Sequence, residues 1–310
     1  MKVIFLSNDV VEEFQGGAQL NTRSLVNFGK TKKHDASEMT VKTFDKEELK
    51  KADVVVLVAL KLFKPEDVSW VLDNCTCIKS EMDYGFCKFG NCKCFSDDTA
   101  ISKCGKCTPY EKYFKLYTEL FEKVKYFVFF TPAQREHFRK FFGDVVDNSI
   151  LYTQFYGDLD GFVNLGLKRI PNSSLWIGRF SPSKGVENII RHAALRPQEK
   201  FFFVGKGSTE GVTAKYVKLM NNVVNCTYLG HFPHTQLPLL YNMFESHIYD
   251  GSWPDTGPAT IIEAVLCGCN IYADKTKATI MTNDFKGDAD IRKRIVDSKI
   301  LFYKKLEELK

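Results

Sequence analysis

A chain of 310 residues, 44% hydrophobic and 26% charged, has the composition of an ordinary globular protein and enough apolar material for two cores. No stretch approaches the roughly 18 uninterrupted apolar residues of a membrane span, so no integral membrane association is expected, and no repeat or low-complexity tract is present. The formal charge of +5 admits anionic ligands such as sugar nucleotides or nucleic acid, but is too small to require one.

The opening run Met1-Lys2-Val3-Ile4-Phe5-Leu6 fits a first buried strand and turns polar at Ser7-Asn8-Asp9. It lacks the long apolar core and small-residue cleavage site of a secretory signal, so a cytoplasmic compartment is expected. Further short runs rich in Val, Ile and Phe follow at 54–57, 126–130, 175–177, 201–204, 247–249 and 270–273, the pattern of parallel strands covered on both faces. Amphipathic segments at 110–125, 132–142, 186–194 and 261–266 lie between them, and such strand-helix repeats define an α/β class.

Cysteines bunch between the second and third of these strands. Cys87-x4-Cys92-x-Cys94-x9-Cys104-x2-Cys107 follows Glu81-Met82-Asp83-Tyr84, with Cys75 and Cys77 upstream. Thiolates spaced in this way can close a tetrahedral zinc site that pins a core-poor loop. The set is Cys87, Cys104, Cys107 and one of Cys92 or Cys94; an iron-sulfur cluster and ordinary free thiols remain alternatives. Lys88, Lys93, Lys103 and Lys106 stud the same stretch, as a soluble face or as a track for a phosphate backbone.

A turn-rich run from Gly157 to Ser174 precedes a fresh strand, which sets a domain boundary near 165. Three parts are therefore expected: 1–165, 166–285, and a closing helix over 286–310 that packs back on the first domain. Early in the second part, Gly178-Arg179-Phe180 ends a strand, and Ser181-Pro182-Ser183-Lys184-Gly185 opens a helix. Two cations beside free backbone amides suit a diphosphate. Further on, Asp255-Thr256-Gly257-Pro258-Ala259 leads into a helix that carries Glu263. A carboxylate, with its two acceptor oxygens, suits paired ribose or sugar hydroxyls; a capped helix with an incidental buried Glu is the plain alternative.

Taken in order, Gly178-Arg179-Phe180-x3-Lys184-Gly185, Phe203-Val204-Gly205-Lys206-Gly207, Leu229-Gly230-His231 with Leu237-Pro238-x2-Tyr241, and Asp255-x7-Glu263-Ala264 with Gly268 resemble the donor half of retaining glycosyltransferases of family four. The resemblance covers about 173–275. It implies a GT-B fold, with two Rossmann-like domains whose parallel sheets face a central cleft, and transfer of a hexose or pentose from a nucleoside diphosphate donor, uridine-linked, to a hydroxyl acceptor. Arg179 and Lys184 would hold the diphosphate, Glu263 the ribose, and Asp255 with Gly257, Pro258 and Ala259 the transferred sugar. The family usually has Glu at the position of Asp255, which leaves the identity of the sugar open.

The first half agrees. Gln15-Gly16-Gly17-Ala18-Gln19 resembles the family's glycine-rich loop after the first strand, where glycines let the backbone approach a phosphate or sugar. Asp83 matches the aspartate of a His-Asp pair in the family and is expected to orient the acceptor or accept its proton; Met82 stands where the histidine would be. Retention at the anomeric carbon follows from the resemblance alone. No catalytic divalent metal is expected, because cations and helix N-termini would stabilise the leaving diphosphate.

The acceptor is either a glycan or a hydroxylated base in DNA. A non-catalytic, zinc-containing nucleic-acid-binding protein on a degenerate scaffold of this kind is the alternative, motivated by Met82 and Asp255. A nicotinamide dehydrogenase is disfavoured, since no Gly-x-Gly-x2-Gly follows the first strand.

Overall fold

The computed structural model describes residues 1–9, 17–87, 110–154, 156–157 and 159–310. Two compact units divide the chain: Met1–Gly157 with Thr279–Phe285 and Asp290–Lys310, and Asp158–Ala278 with Lys286–Ala289. The first passage from one unit to the other thus falls at the start of the turn-rich run.

In the first unit, β1 (Lys2–Leu6), β2 (Asp35–Met39), β3 (Val54–Leu57), β4 (Cys77–Ser80), β5 (Phe127–Phe129) and β6 (Ser149–Leu151) form a parallel sheet in the order β2-β1-β3-β4-β5-β6. Every residue of β3, β4 and β5 is buried, as expected of strands covered on both faces. Helices α1 (Gly17–Thr31), α2 (Lys46–Leu49), α3 (Pro65–Asn74), α4 (Tyr110–Lys123) and α5 (Pro132–Phe142) intervene. Local chemistry sets the bounds of α5. The Thr131 hydroxyl accepts from the Gln134 amide at 3.0 Å, Pro132 opens the first turn, and Gly143 at φ 66° ends it.

The second unit holds β7 (Ile170–Ile177), α6 (Val186–Ala194), β8 (Lys200–Val204), α7 (Glu210–Asn221), β9 (Cys226–Gly230), α8 (Leu237–Met243), β10 (Phe244–Tyr249), α9 (Ala259–Leu266) and β11 (Asn270–Ala273). Its parallel sheet runs β11-β10-β7-β8-β9. Trp176, Phe180, Ile189, Phe203 and Tyr216 are among the residues that fill the core between the sheet and the pair α6, α7. Arg169 ties one end together, donating to the carbonyls of Tyr241 at 2.7 Å, Phe244 at 2.6 Å and Cys267 at 2.5 Å.

The last helix, α10 (Asp288–Glu307), places Phe302, Tyr303 and Leu306 in the core of the first unit beside Val3 and Phe5. Its seat is built around Gly29: a Cβ there would stand 2.1 Å from the Tyr303 hydroxyl, which donates to Leu25 O at 2.8 Å. Among the described residues, no helix is long and apolar enough to cross a membrane.

Candidate functional site

Open α/β sheets bind ligands outside the carboxyl ends of their strands, where the strand order reverses. In the second unit that point lies between β7 and β10, and the loops leaving these two strands carry Arg179, Lys184, Asp255 and Gly257. Backbone contacts knit the loops together. The Ser252 amide donates to Ser183 O at 3.0 Å, and a Cβ at Gly185, which has φ 71°, would lie 1.6 Å from Asp250 O. Only glycine permits that approach.

Asp255 is 5% exposed and heavily bonded. Its Oδ2 accepts from Lys184 Nζ at 2.6 Å and from the Tyr249 hydroxyl at 2.7 Å, and its Oδ1 accepts from the Gly257 amide at 3.2 Å. Burial, followed by the charge of Asp255, pushes the Tyr249 phenol well above its usual range, so the hydroxyl keeps its proton and donates. The Lys184 ammonium also lies 5.6 Å from the centre of the Trp253 ring. Arg179 is exposed at the end of β7, with no ion-pair partner among the described residues.

Helix α9 begins after Pro258, so the amides of Ala259 and Thr260 stand in a first turn that lacks intrahelical acceptors. Glu263, on the buried face of this helix, is 3% exposed. Its Oε1 bonds His234 Nε2 at 2.8 Å, and its Oε2 accepts from the Tyr241 hydroxyl at 3.1 Å. Tyr241 is likewise held protonated, by burial first and then by the charge of Glu263. A carboxylate has about four lone-pair sites, and two are engaged by donors among the described residues. The remaining capacity suits a pair of hydroxyls.

The first unit places Asp83 differently. It is exposed in the turn after β4, its amide donates to Glu81 Oε1 at 3.2 Å, and its carbonyl accepts from Gln134 Nε2 at 3.0 Å. That turn wraps around Glu81, which is 2% exposed. Glu81 also accepts from the Gly85 amide at 3.3 Å and from the Tyr117 hydroxyl, and it pairs with Lys79 Nζ at 3.2 Å. Burial lowers the affinity of the Lys79 amine for its proton, and Glu81 partly restores it.

Of the glycine pair expected after β1, Gly16 lies outside the described residues and Gly17 opens α1 in exposed surroundings, where a Cβ would meet nothing within 4 Å. The strand before them, β1, borders β3 where the strand order of the first unit's sheet reverses. Of the expected metal ligands, Cys87 is buried after Tyr84, and Cys92, Cys94, Cys104 and Cys107 lie outside the described residues. No group of three His, Cys, Asp or Glu able to hold a metal occurs among the described residues. Cys75 and Cys77 donate instead to Leu49 O and Val71 O, at 3.8 and 3.7 Å.

Sequence reasoning assigned no role to Tyr249, Tyr241, His234 or Glu81. Tyr249 ends an apolar strand and reads as core, and His234 follows no spacing rule. Tyr241 had a signal, since it stands one helical turn beyond Pro238 in α8.

The comparisons with known proteins bear on this geometry. Residues 163–279 match the family model of glycosyl transferases group 1. That match spans most of the second unit and less than half of the chain. Among solved structures, a glycosyltransferase from Rickettsia africae superposes with a TM-score of 0.66 at 12% identity, over 99% of this chain and 98% of that one. Sucrose-phosphate synthase from Thermosynechococcus elongatus gives 0.65 at 14% identity, over 87% and 80%. The Anabaena protein HepE, solved in complex with UDP and glucose, gives 0.62 at 12% identity, over 100% and 97%. No curated protein matches the chain. The fold is GT-B, made of two Rossmann-like α/β units with parallel sheets.

Proposed function

We propose that the chain is a glycosyltransferase that moves a hexose or pentose from a uridine diphosphate sugar to a hydroxyl acceptor, with retention. The observation that carries this reading is Glu263: a buried carboxylate with acceptor capacity to spare, beside the loops where the strand order reverses. Those loops supply Arg179, Lys184 and the amides that open α9, a set that neutralises a leaving diphosphate without a catalytic metal. Glu263 receives the ribose hydroxyls, Arg179 and Lys184 the diphosphate, and the backbone of Gly257, Pro258 and Ala259 faces the sugar. The family match over 163–279 supports glycosyl transfer, and the UDP bound by HepE is what favours a uridine donor.

In the first unit, Gly16 and Gly17 are donor-binding and Asp83 orients the acceptor or accepts its proton, with a glycan or a hydroxylated DNA base as the acceptor. The stretch after Asp83 holds a structural zinc through Cys87 and cysteines drawn from Cys92, Cys94, Cys104 and Cys107. Metal analysis of the purified chain tests the zinc, and a gel shift with plain and hydroxymethylated duplex at two salt concentrations tests the DNA acceptor.

The deciding experiment is thermal unfolding of wild type and Glu263→Ala with UDP, ADP, GDP and their sugar conjugates. A ligand at about 100 times its dissociation constant stabilises the folded chain by about 2.7 kcal/mol. A midpoint raised by uridine nucleotides in wild type and not in Glu263→Ala is the expected result. No shift with any nucleotide at millimolar concentration sinks the reading and leaves a non-catalytic binding protein in its place.

A further inference from the structure

Resting on the donor-site reading above, we propose that Asp255 is a positioning residue that fixes the Lys184 ammonium where the diphosphate binds. The carboxylate is a fixed point whose other anchors do not involve Lys184. Tyr249 and Gly257 hold its two oxygens at 2.7 and 3.2 Å. Its own amide donates to Trp253 O at 2.8 Å and Lys277 O at 2.9 Å, and it pairs with Ala278 in a β-bridge.

Lys184 has the opposite character. Its backbone is set by the turn before α6, but its charge sits at the end of a flexible four-carbon stem that must be ordered before it can meet a phosphate. The bond of 2.6 Å to Asp255 orders it, and an ammonium has two further N–H groups to offer. Exposure gives the direction: the Lys184 side chain is 29% exposed and that of Asp255 is 8%, so the cation stands on the solvent side of the carboxylate. The two donors to Oδ2 leave that oxygen committed to Lys184 and Tyr249, so the carboxylate holds the ammonium from a fixed side.

The two roles separate with a ligand that has no sugar. Binding of UDP and of UDP-glucose is measured by calorimetry for wild type, Lys184→Ala, Asp255→Asn, the double variant and Tyr249→Phe, with folding checked by thermal unfolding. Asp255→Asn and Lys184→Ala are each expected to weaken UDP about tenfold, and the double variant to be no weaker than Lys184→Ala alone. Tyr249→Phe changes no charge and frees one anchor of the carboxylate, so a loss of about threefold is expected. UDP-glucose should shift by the same factors. Unchanged or tighter UDP binding by Asp255→Asn, with a loss confined to UDP-glucose, would overturn the inference and return Asp255 to the sugar. Failure of wild type to bind UDP, ADP or GDP would instead bring down the donor-site reading, and this inference with it.

Discussion

Glu81 in the first unit and Glu263 in the second are both buried carboxylates close to the carboxyl ends of a parallel sheet, 2% and 3% exposed, yet they are spent differently. Four donors converge on Glu81: the amides of Asp83 and Gly85, the Tyr117 hydroxyl and the Lys79 ammonium. Its lone pairs are used up in shaping the turn that carries Asp83. Glu263 receives two donors from described residues, one of them a histidine whose side chain is 47% exposed. Burial alone therefore does not distinguish the two carboxylates; the count of donors among the described residues does.

The largest expected effect follows from the saturated member. Glu81→Gln leaves Lys79, fully buried, without its counter-charge, and should cost about 3–5 kcal/mol in urea unfolding. Adding Lys79→Met removes the stranded charge and should recover a large part of that loss. A Glu81→Gln protein as stable as wild type would break the contrast between the two carboxylates.

Acid provides the next test, through one histidine in each unit. His137, bonded to the Tyr84 hydroxyl at 3.0 Å, and His247, fully buried on β10 beside the central strand β7, are both pushed down to about 4, chiefly by burial. Each is neutral in the fold and takes up a proton near 6.5 when unfolded, so the stability held above pH 6.5 is lost as pH falls toward 4. For His247 the loss by pH 5 is about 2 kcal/mol. Unfolding midpoints of wild type and His247→Leu at pH 7.5 and 5 check this, and the variant should show the shallower pH dependence.

The smallest effect on stability belongs to Glu263→Gln. Two neutral hydrogen bonds survive in altered form, so the cost should be about 1 kcal/mol, while uridine nucleotide affinity falls at least tenfold. A large stability loss with unchanged nucleotide binding would show that Glu263 is scaffold after all, like Glu81.

Much of the fold is legible in the chain. The apolar runs at 54–57 and 270–273 coincide with β3 and β11, and Pro132–Phe142 and Val186–Ala194 are helices over the expected bounds, because their periodicity and caps are local properties. Other strands left no such trace. β2, Asp-Ala-Ser-Glu-Met, is an edge strand with only Ala36 and Met39 fully buried, and so needs no apolar run. β4, Cys-Ile-Lys-Ser, is wholly buried, but its lysine reads as a surface residue until Glu81 is seen beside it.

The residues of the proposed donor site are present in the sequence as residue types, since a phosphate calls for cations near a helix start and a sugar or ribose for a carboxylate. What the sequence by itself determined is thus the class of each element and the chemistry available in each loop, both written within a few neighbouring residues. Tertiary structure alone decided which loops meet. Strand order puts the reversal between β7 and β10, and so brings Lys184 within 2.6 Å of Asp255 across 71 residues of chain; the packing of the segment after β9 brings His234 within 2.8 Å of Glu263 across 29. The number of donors around a carboxylate depends on such long-range pairings, which no local pattern encodes.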